Sequence, residues 1–273
     1  MIRAPLTGRP FLLWLRTVLP WCMSYAIRYR EVFMVRLIPI AAAALALGAC
    51  NFSADAGDKD PGPKVSRNYQ VAAFDRIEVA GPYDVKVVTG GNTGISASGN
   101  QKLLDETDVL VEGGVLKIMP RKKKGMRWGW SSHGNATFIV NAAALKGASI
   151  AGSGGIAVDK VAGDFDGAVA GSGDLKIGSA IGGKLKLAIA GSGDVRAAGK
   201  ADSVDIAIAG SGGVDAKGLA TRTASVSIAG SGSVNAQASD TANVSIMGSG
   251  DVEMTGGAKC TVEKAGSGDV RCS

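Results

Sequence analysis

Aromatic residues make up only 5% of the 273-residue chain, alongside 8 Pro and a single His. With 40 Gly, that shortage argues against an ordinary helical enzyme domain. Collagen is excluded as well, because the Gly have no three-residue period and Pro is scarce. The shortage sharpens along the chain: no Pro follows Pro120 and no aromatic follows Phe165. Without Pro, every backbone donor stays available for strand ladders. Without rings, the core must be thin and aliphatic, and no flat apolar platform is left for a sugar to stack on. One His excludes metal sites built on His pairs, and no Ser has a His and an Asp at hand for nucleophilic catalysis.

The formal charge of +6 is concentrated at one end. Residues 1–49 contain Arg3, Arg9, Arg16, Arg28, Arg30 and Arg36 against the single acid Glu31, so the remainder is close to neutral. A nucleic-acid partner is therefore not expected, since that needs a basic face on the folded body. From Met34 the chain reads as a secretory signal, with Arg36 as its positive start and an apolar run from Leu37 to Leu47. That run is too short for a helix to cross a membrane. It ends in Leu47-Gly48-Ala49-Cys50, which resembles the lipobox of bacterial lipoproteins and makes Cys50 the expected lipid attachment. The competing reading is an ordinary cleaved signal with an incidental Cys. Residues 1–33 read as an extension upstream of the true start at Met34, or as a longer basic region; residues 34–49 are the signal peptide. Residues 50–67, polar and rich in Gly, Pro, Asp and Lys, read as a flexible tether. Asn51 rather than Asp after the Cys favours the outer membrane, facing the periplasm or the cell surface.

The second half repeats itself. Ala-Gly-Ser-Gly or Met-Gly-Ser-Gly recurs with its first Gly at 152, 171, 191, 210, 230, 248 and 266, a spacing of 18–20 residues. Between these turns apolar residues alternate with polar or small ones, as in Leu185, Leu187, Ile189 and then Val204, Ile206, Ile208. That is the period of a half-buried strand. One unit cannot shelter its apolar side chains alone, but stacked units can. The predicted fold is all-β: a β-solenoid (parallel β-helix) of about seven Gly-Ser-Gly coils over 150–273, with a less regular cap of strands over 68–149. Gly supplies the positive φ of each corner, and the intervening Ser are read as a structural hydroxyl ladder rather than as nucleophiles. Gly113-Gly114 is a hairpin turn, and residues 101–105 a single helical turn.

Residues 68–273 resemble a known family. Phe74-Asp75-Arg76-Ile77-Glu78-Val79, then Gly81-Pro82-Tyr83-Asp84-Val85, then coils such as Gly191 to Val195 and Gly248 to Val252, look like the putative auto-transporter adhesin, head GIN domain family. The resemblance implies an exported bacterial protein with a β-helical fold. It carries over no catalytic residue.

Three chemistries remain to be weighed. The segment Arg121, Lys122, Lys123, Lys124, Arg127, Trp128 and Trp130, with His133 nearby, combines bases with interfacial aromatics. Anionic headgroups, lipopolysaccharide phosphates or an acidic polymer would suit it; the competing reading is a solvated insertion. The Asp after several turns (Asp174, Asp194, Asp251, Asp269) invites a calcium reading, but the period is not that of calcium β-rolls and the column breaks at Gly155, Gly213 and Ser233, so solvated corner residues are the better reading. A polysaccharide-acting enzyme would need clustered carboxylates on one outward face, whereas Lys176, Arg196, Asp215, Asn235, Glu253 and Arg271 form a row of mixed sign. At the C-terminal end, Lys264 stands where earlier coils place Ile, a charge that blunts an open edge. Cys260 and Cys272 fall at inward positions and are predicted to pair; the other reading is two buried thiols. The expected protein is thus a non-catalytic envelope lipoprotein without a cofactor. The membrane, reached through Cys50, and an envelope polymer, lipopolysaccharide or surface ligand are its expected partners.

Overall fold

A strand that alternates apolar and polar residues presents one row inward and one outward, and equivalent rows align only when strands stack in register. In the computed structural model, which describes residues 63–121 and 136–273, the repeats do this as a parallel β-solenoid. Each regular coil contributes one strand to a first wall, turns at Gly-Ser-Gly, contributes a strand to a second wall, and turns again. The first wall stacks β8 (Gly147–Gly152), β10 (Phe165–Gly171), β12 (Lys184–Gly191) and β14 (Ser203–Gly210). It continues through the later halves of β15 (Gly213–Gly230) and β16 (Ser233–Gly248) to β18 (Lys259–Gly266). The second wall runs β9 (Gly155–Ala162), β11 (Asp174–Ile181), β13 (Asp194–Lys200), the early parts of β15 and β16, β17 (Asp251–Thr255) and β19 (Val270–Cys272). Register shifts fall at or near the second corner, as between Ile177 and Ala180 and between Ala216 and Ala220. That corner absorbs the variation in repeat length, and the Gly-Ser-Gly corner stays invariant.

The N-terminal part differs from the expected irregular cap. β2 (Arg76–Ala80) and β3 (Tyr83–Thr89) form a full parallel coil, as do β6 (Val115–Pro120) and β7 (Ala136–Ala142). β2 lies between β6 and β8, and β3 between β7 and β9, so the order of stacking is not the order of the chain. The β2–β3 coil turns at Gly81-Pro82, with Gly81 at φ 125, the value also found at Gly152. Its N–H donates to Ala151 O at 2.8 Å and its carbonyl accepts from Gly154 N–H at 2.9 Å, so this corner stacks like the others although its sequence differs. The cap proper is antiparallel: β1 (Lys64–Tyr69) on β4 (Gly94–Asn100), β4 on β7, and β5 (Thr107–Glu112) on β6, with α1 (Gln101–Asp105) between β4 and β5. Strand β1 takes up Lys64 to Arg67, which composition alone had assigned to the tether.

Equivalent side chains form continuous columns in one core. Ile189, Ile208, Ile228 and Ile246 stack on one another, and Leu175, Val195, Val214, Val234 and Val252 form the facing column; all are at most 3% exposed. Among the described residues the last ring in the stack is Phe165 in β10, and nearer the cap Tyr83 and Phe138 meet edge-on with centroids 5.6 Å apart. Burial raises the Tyr83 phenol pKa, opposed by a hydrogen bond with Thr107 Oγ1 at 3.0 Å.

At the Gly-Ser-Gly corners backbone lies directly on backbone. Ser192 N–H donates to Gly171 O, Ser211 N–H to Gly191 O and Ser231 N–H to Gly210 O, each at 2.9 Å. The ladder therefore runs through Ser amides, and the side chains, read from sequence as a hydroxyl ladder, point to solvent. A Cβ on Gly191, at φ 135, would collide with the carbonyl of Gly171 below. Gly191→Ala should therefore cost at least about 2 kcal/mol, from left-handed strain plus the clash. Ser192→Ala should stay within about 0.5 kcal/mol. Urea unfolding of the two variants measures the contrast, and equal effects would refute backbone stacking as the reason for the motif.

Candidate binding surfaces

The outer face of the second wall carries two aligned charged rows. In the first, Asp84, Gly155, Asp174, Asp194, Gly213, Ser233 and Asp251 occupy equivalent positions. Their carboxylates have a specific use: Asp174 accepts from Asp194 N–H at 3.1 Å, Asp194 from Gly213 N–H at 3.0 Å, and Asp251 from Asp269 N–H at 2.9 Å. Each of these Asp ties its coil to an amide of the next. Calcium takes six to eight converging oxygens, and among the described residues no group of three or more His, Cys, Asp or Glu could hold a metal. The sequence reading saw this column but missed its role; the signal was Asp recurring one residue after the corner.

The second row, two residues further along each strand, is the mixed-sign row of Lys176, Arg196, Asp215, Asn235, Glu253 and Arg271, aligned coil by coil. Lys217 Nζ lies 2.8 Å from Glu253 Oε2, and that hydrogen bond holds the Glu253 carboxyl below its ordinary pKa and raises that of Lys217. Two shallow hollows open on the surface. One of about 190 Å³ is bounded by Ser233, Asn235, Asp251, Glu253, Asp269 and Arg271. The other, about 260 Å³, lies beside β1 and is bounded by Lys64, Ser66, Ser98 and Thr137. Both are smaller than ordinary small-molecule sites of roughly 300–1,000 Å³.

The basic segment interrupts a corner. Val79 pairs with Ile118 and Tyr83 with Ala136, so residues 121–135 stand where the neighbouring coil has only Gly81-Pro82. Arg121 opens the segment and is held: its N–H donates to Glu106 O at 2.7 Å and its Nε to Asp108 Oδ1 at 2.8 Å. Its charge is thus partly neutralised before any ligand arrives. Lys122, Lys123, Lys124, Arg127, Trp128, Trp130 and His133 lie outside the described residues, as do Cys50 and the whole leader.

At the other end Cys260 and Cys272 are joined by a disulfide with Cα atoms 6.6 Å apart. Cys260 is in register with Ala242 and Cys272 with Met254, both inward positions. The bond therefore spans the interior of the last coil from one wall to the other. Ser273 adds a backbone clamp, donating to Met254 O at 2.9 Å.

A family model matches residues 73–258, from β2 to β17 and so all but the last coil and β1; its description is "Putative auto-transporter adhesin, head GIN domain". The chain belongs to this family. Solved structures share the fold. A putative adhesin from Bacteroides fragilis is 20% identical with a TM-score of 0.69, covering 77% of this chain and 97% of its own. A putative lipid binding protein from Parabacteroides distasonis is 24% identical with a TM-score of 0.62, covering 78% and 97%. A putative adhesin from Parabacteroides merdae is 18% identical with a TM-score of 0.61, with the same coverage. No curated protein matches.

Because coils in a solenoid interact only with their neighbours, loss of the disulfide should act locally. A Cys260→Ser, Cys272→Ser double variant should lose about 2–3 kcal/mol of constraint on the final coil. Hydrogen exchange should accelerate over residues 259–273 and leave β12 to β14 unchanged. Acceleration spread evenly over the whole domain would show that the bond supports the fold globally.

Proposed function

We propose that this protein is a non-catalytic, exported binding module of the cell envelope: lipid-anchored at Cys50, seated on the outer membrane and presenting its solenoid to an envelope polymer, lipopolysaccharide or surface ligand. Membership of a family described as adhesin heads supports the exported, ligand-binding part of this reading.

The observation that carries the reading furthest is where the basic segment enters and leaves. The chain comes in from the tether at β1, which pairs with β4, which pairs with β7, the strand on which residues 121–135 end. The tether and the basic segment thus meet the solenoid at its same end. A basic cluster close to a lipid anchor adds an electrostatic attachment to an anionic surface. Each Lys or Arg near an anionic surface adds about 1 kcal/mol, and Trp suits the interface. The relative named as a putative lipid binding protein agrees with a headgroup ligand.

Replacing Lys122, Lys123 and Lys124 with Ser should weaken binding to vesicles containing anionic lipid by tenfold or more at low salt, and should leave binding to neutral vesicles unchanged. Equal binding by variant and parent would remove the basic segment from the reading. The non-catalytic assignment is tested by incubation with acidic polysaccharides, where no shortening of the polymer is expected; cleavage that depended on Lys176, Arg196 and Glu253 would replace the binding module with an enzyme. Calcium should leave the melting temperature unchanged, and a rise of several degrees would restore the calcium alternative.

A further inference from the structure

The two ends of the solenoid are finished differently. The N-terminal end is closed by antiparallel β1, β4 and β5 with α1. At the C-terminal end β18 is in register with β16 on one side, and among the described residues no strand covers its other edge. Its inward row lacks the roof that every earlier coil receives: Val262 is 45% exposed, whereas Val244, its equivalent one coil back, is 2% exposed. Lys264, at the inward position after Val262, folds over the end of the coil and donates to Gly268 O at 2.7 Å. That bond leaves the outer edge of β18 unpaired among the described residues. An eight-residue edge of this kind takes another strand by backbone pairing.

We propose that this edge receives a second copy of the same chain, β18 pairing antiparallel with β18 about a two-fold axis through Thr261. The argument is charge complementarity. In an antiparallel pair directly opposed residues share a face, so a two-fold axis must pass through a residue. The outward row of β18 is Lys259, Thr261, Glu263 and Ala265, equivalent to the outward Thr241, Asn243, Ser245 and Met247. Centred on Thr261, Lys259 of each copy faces Glu263 of the other, and both opposite-charge pairs form at once. Centred on Val262, Thr261 faces Glu263 and Lys259 faces Ala265, with no charge matched. Centred on Glu263, two carboxylates face each other. The same Thr261 register sets Val262 opposite Cys260, so the exposed apolar row acquires the roof it lacks. It also sets the two Lys264 six residues apart along the paired strands, roughly 20 Å, well beyond a Debye length. Such an isologous contact closes on itself. The two capped ends of the solenoids then face away from the contact.

The test is sedimentation of the full chain in mild detergent with the disulfide intact. The parent is expected to be a dimer. Lys259→Glu, an exposed substitution that leaves the fold undisturbed, should weaken the dimer at least tenfold by facing two carboxylates across the axis. Lys259→Glu combined with Glu263→Lys should restore it, since the exchanged charges meet again in the same register. A monomeric parent would overturn the proposal and leave the edge to another strand or to none. Assemblies larger than a dimer would indicate head-to-tail growth onto β1 or β5 instead. A double exchange no tighter than the single variant would reject the Thr261 register.

Discussion

Backbone-to-backbone stacking at the Gly-Ser-Gly corner governs the rest of the molecule. Neighbouring strands must lie about 4.8 Å apart, and at this corner the chain turns while keeping that spacing, so a corner residue has room for its main chain only. Gly191 and Gly193 both show it, since a Cβ on either would strike a carbonyl of the coil below. From this follow the constant first-wall register, the outward Ser, and the displacement of every length difference to the second corner. The Asp that follows the corner extends the same principle, because its carboxylate takes up an amide of the next coil.

A solenoid under this constraint has few places to carry something extra. An insertion at a Gly-Ser-Gly corner inside the stack would interrupt the amide ladder on both sides. The β6–β7 corner has one parallel neighbour, at Gly81-Pro82, and the antiparallel cap on its other side, so a longer connection there has only one ladder to preserve. The ends are otherwise distinct. One is folded over by strands running the other way, and the other is held by a covalent bond between walls and by the terminal residue, with its edge strand uncovered. Chemistry that does not belong to the repeat gathers at these two ends.

The walls themselves suit an extended partner better than a small one. The charged rows of the second wall follow the stack at strand spacing, and the hollow beside them, bounded by Asp251, Glu253 and Arg271, is shallow. Several surface charges are already engaged, Lys217 with Glu253, Lys184 with Asp205 and Lys146 with Asp75. Exposed pairs of this kind contribute little to stability, but they reduce the charge left for a ligand on the walls, whereas Arg121 to Lys124 are the densest run of bases in the sequence.

Much of the architecture was legible in the residues. Period-two alternation and a Gly-Ser-Gly return every 18–20 residues oblige strands to stack in parallel, because no other arrangement buries all the equivalent Val and Ile. The one-dimensional pattern was also enough for the inward positions of Cys260, Cys272 and Lys264 and for the Gly113-Gly114 hairpin. Tertiary structure decided what depends on neighbours distant in sequence. That β2–β3 sits between β6–β7 and β8–β9 could not be read locally, since a strand's alternation states which side is buried and not which strand lies beside it. Nor could the use of the Asp column, the pairing of Arg121 with Asp108, or the amide route of the Ser ladder, each of which is fixed by the distance between groups on different coils.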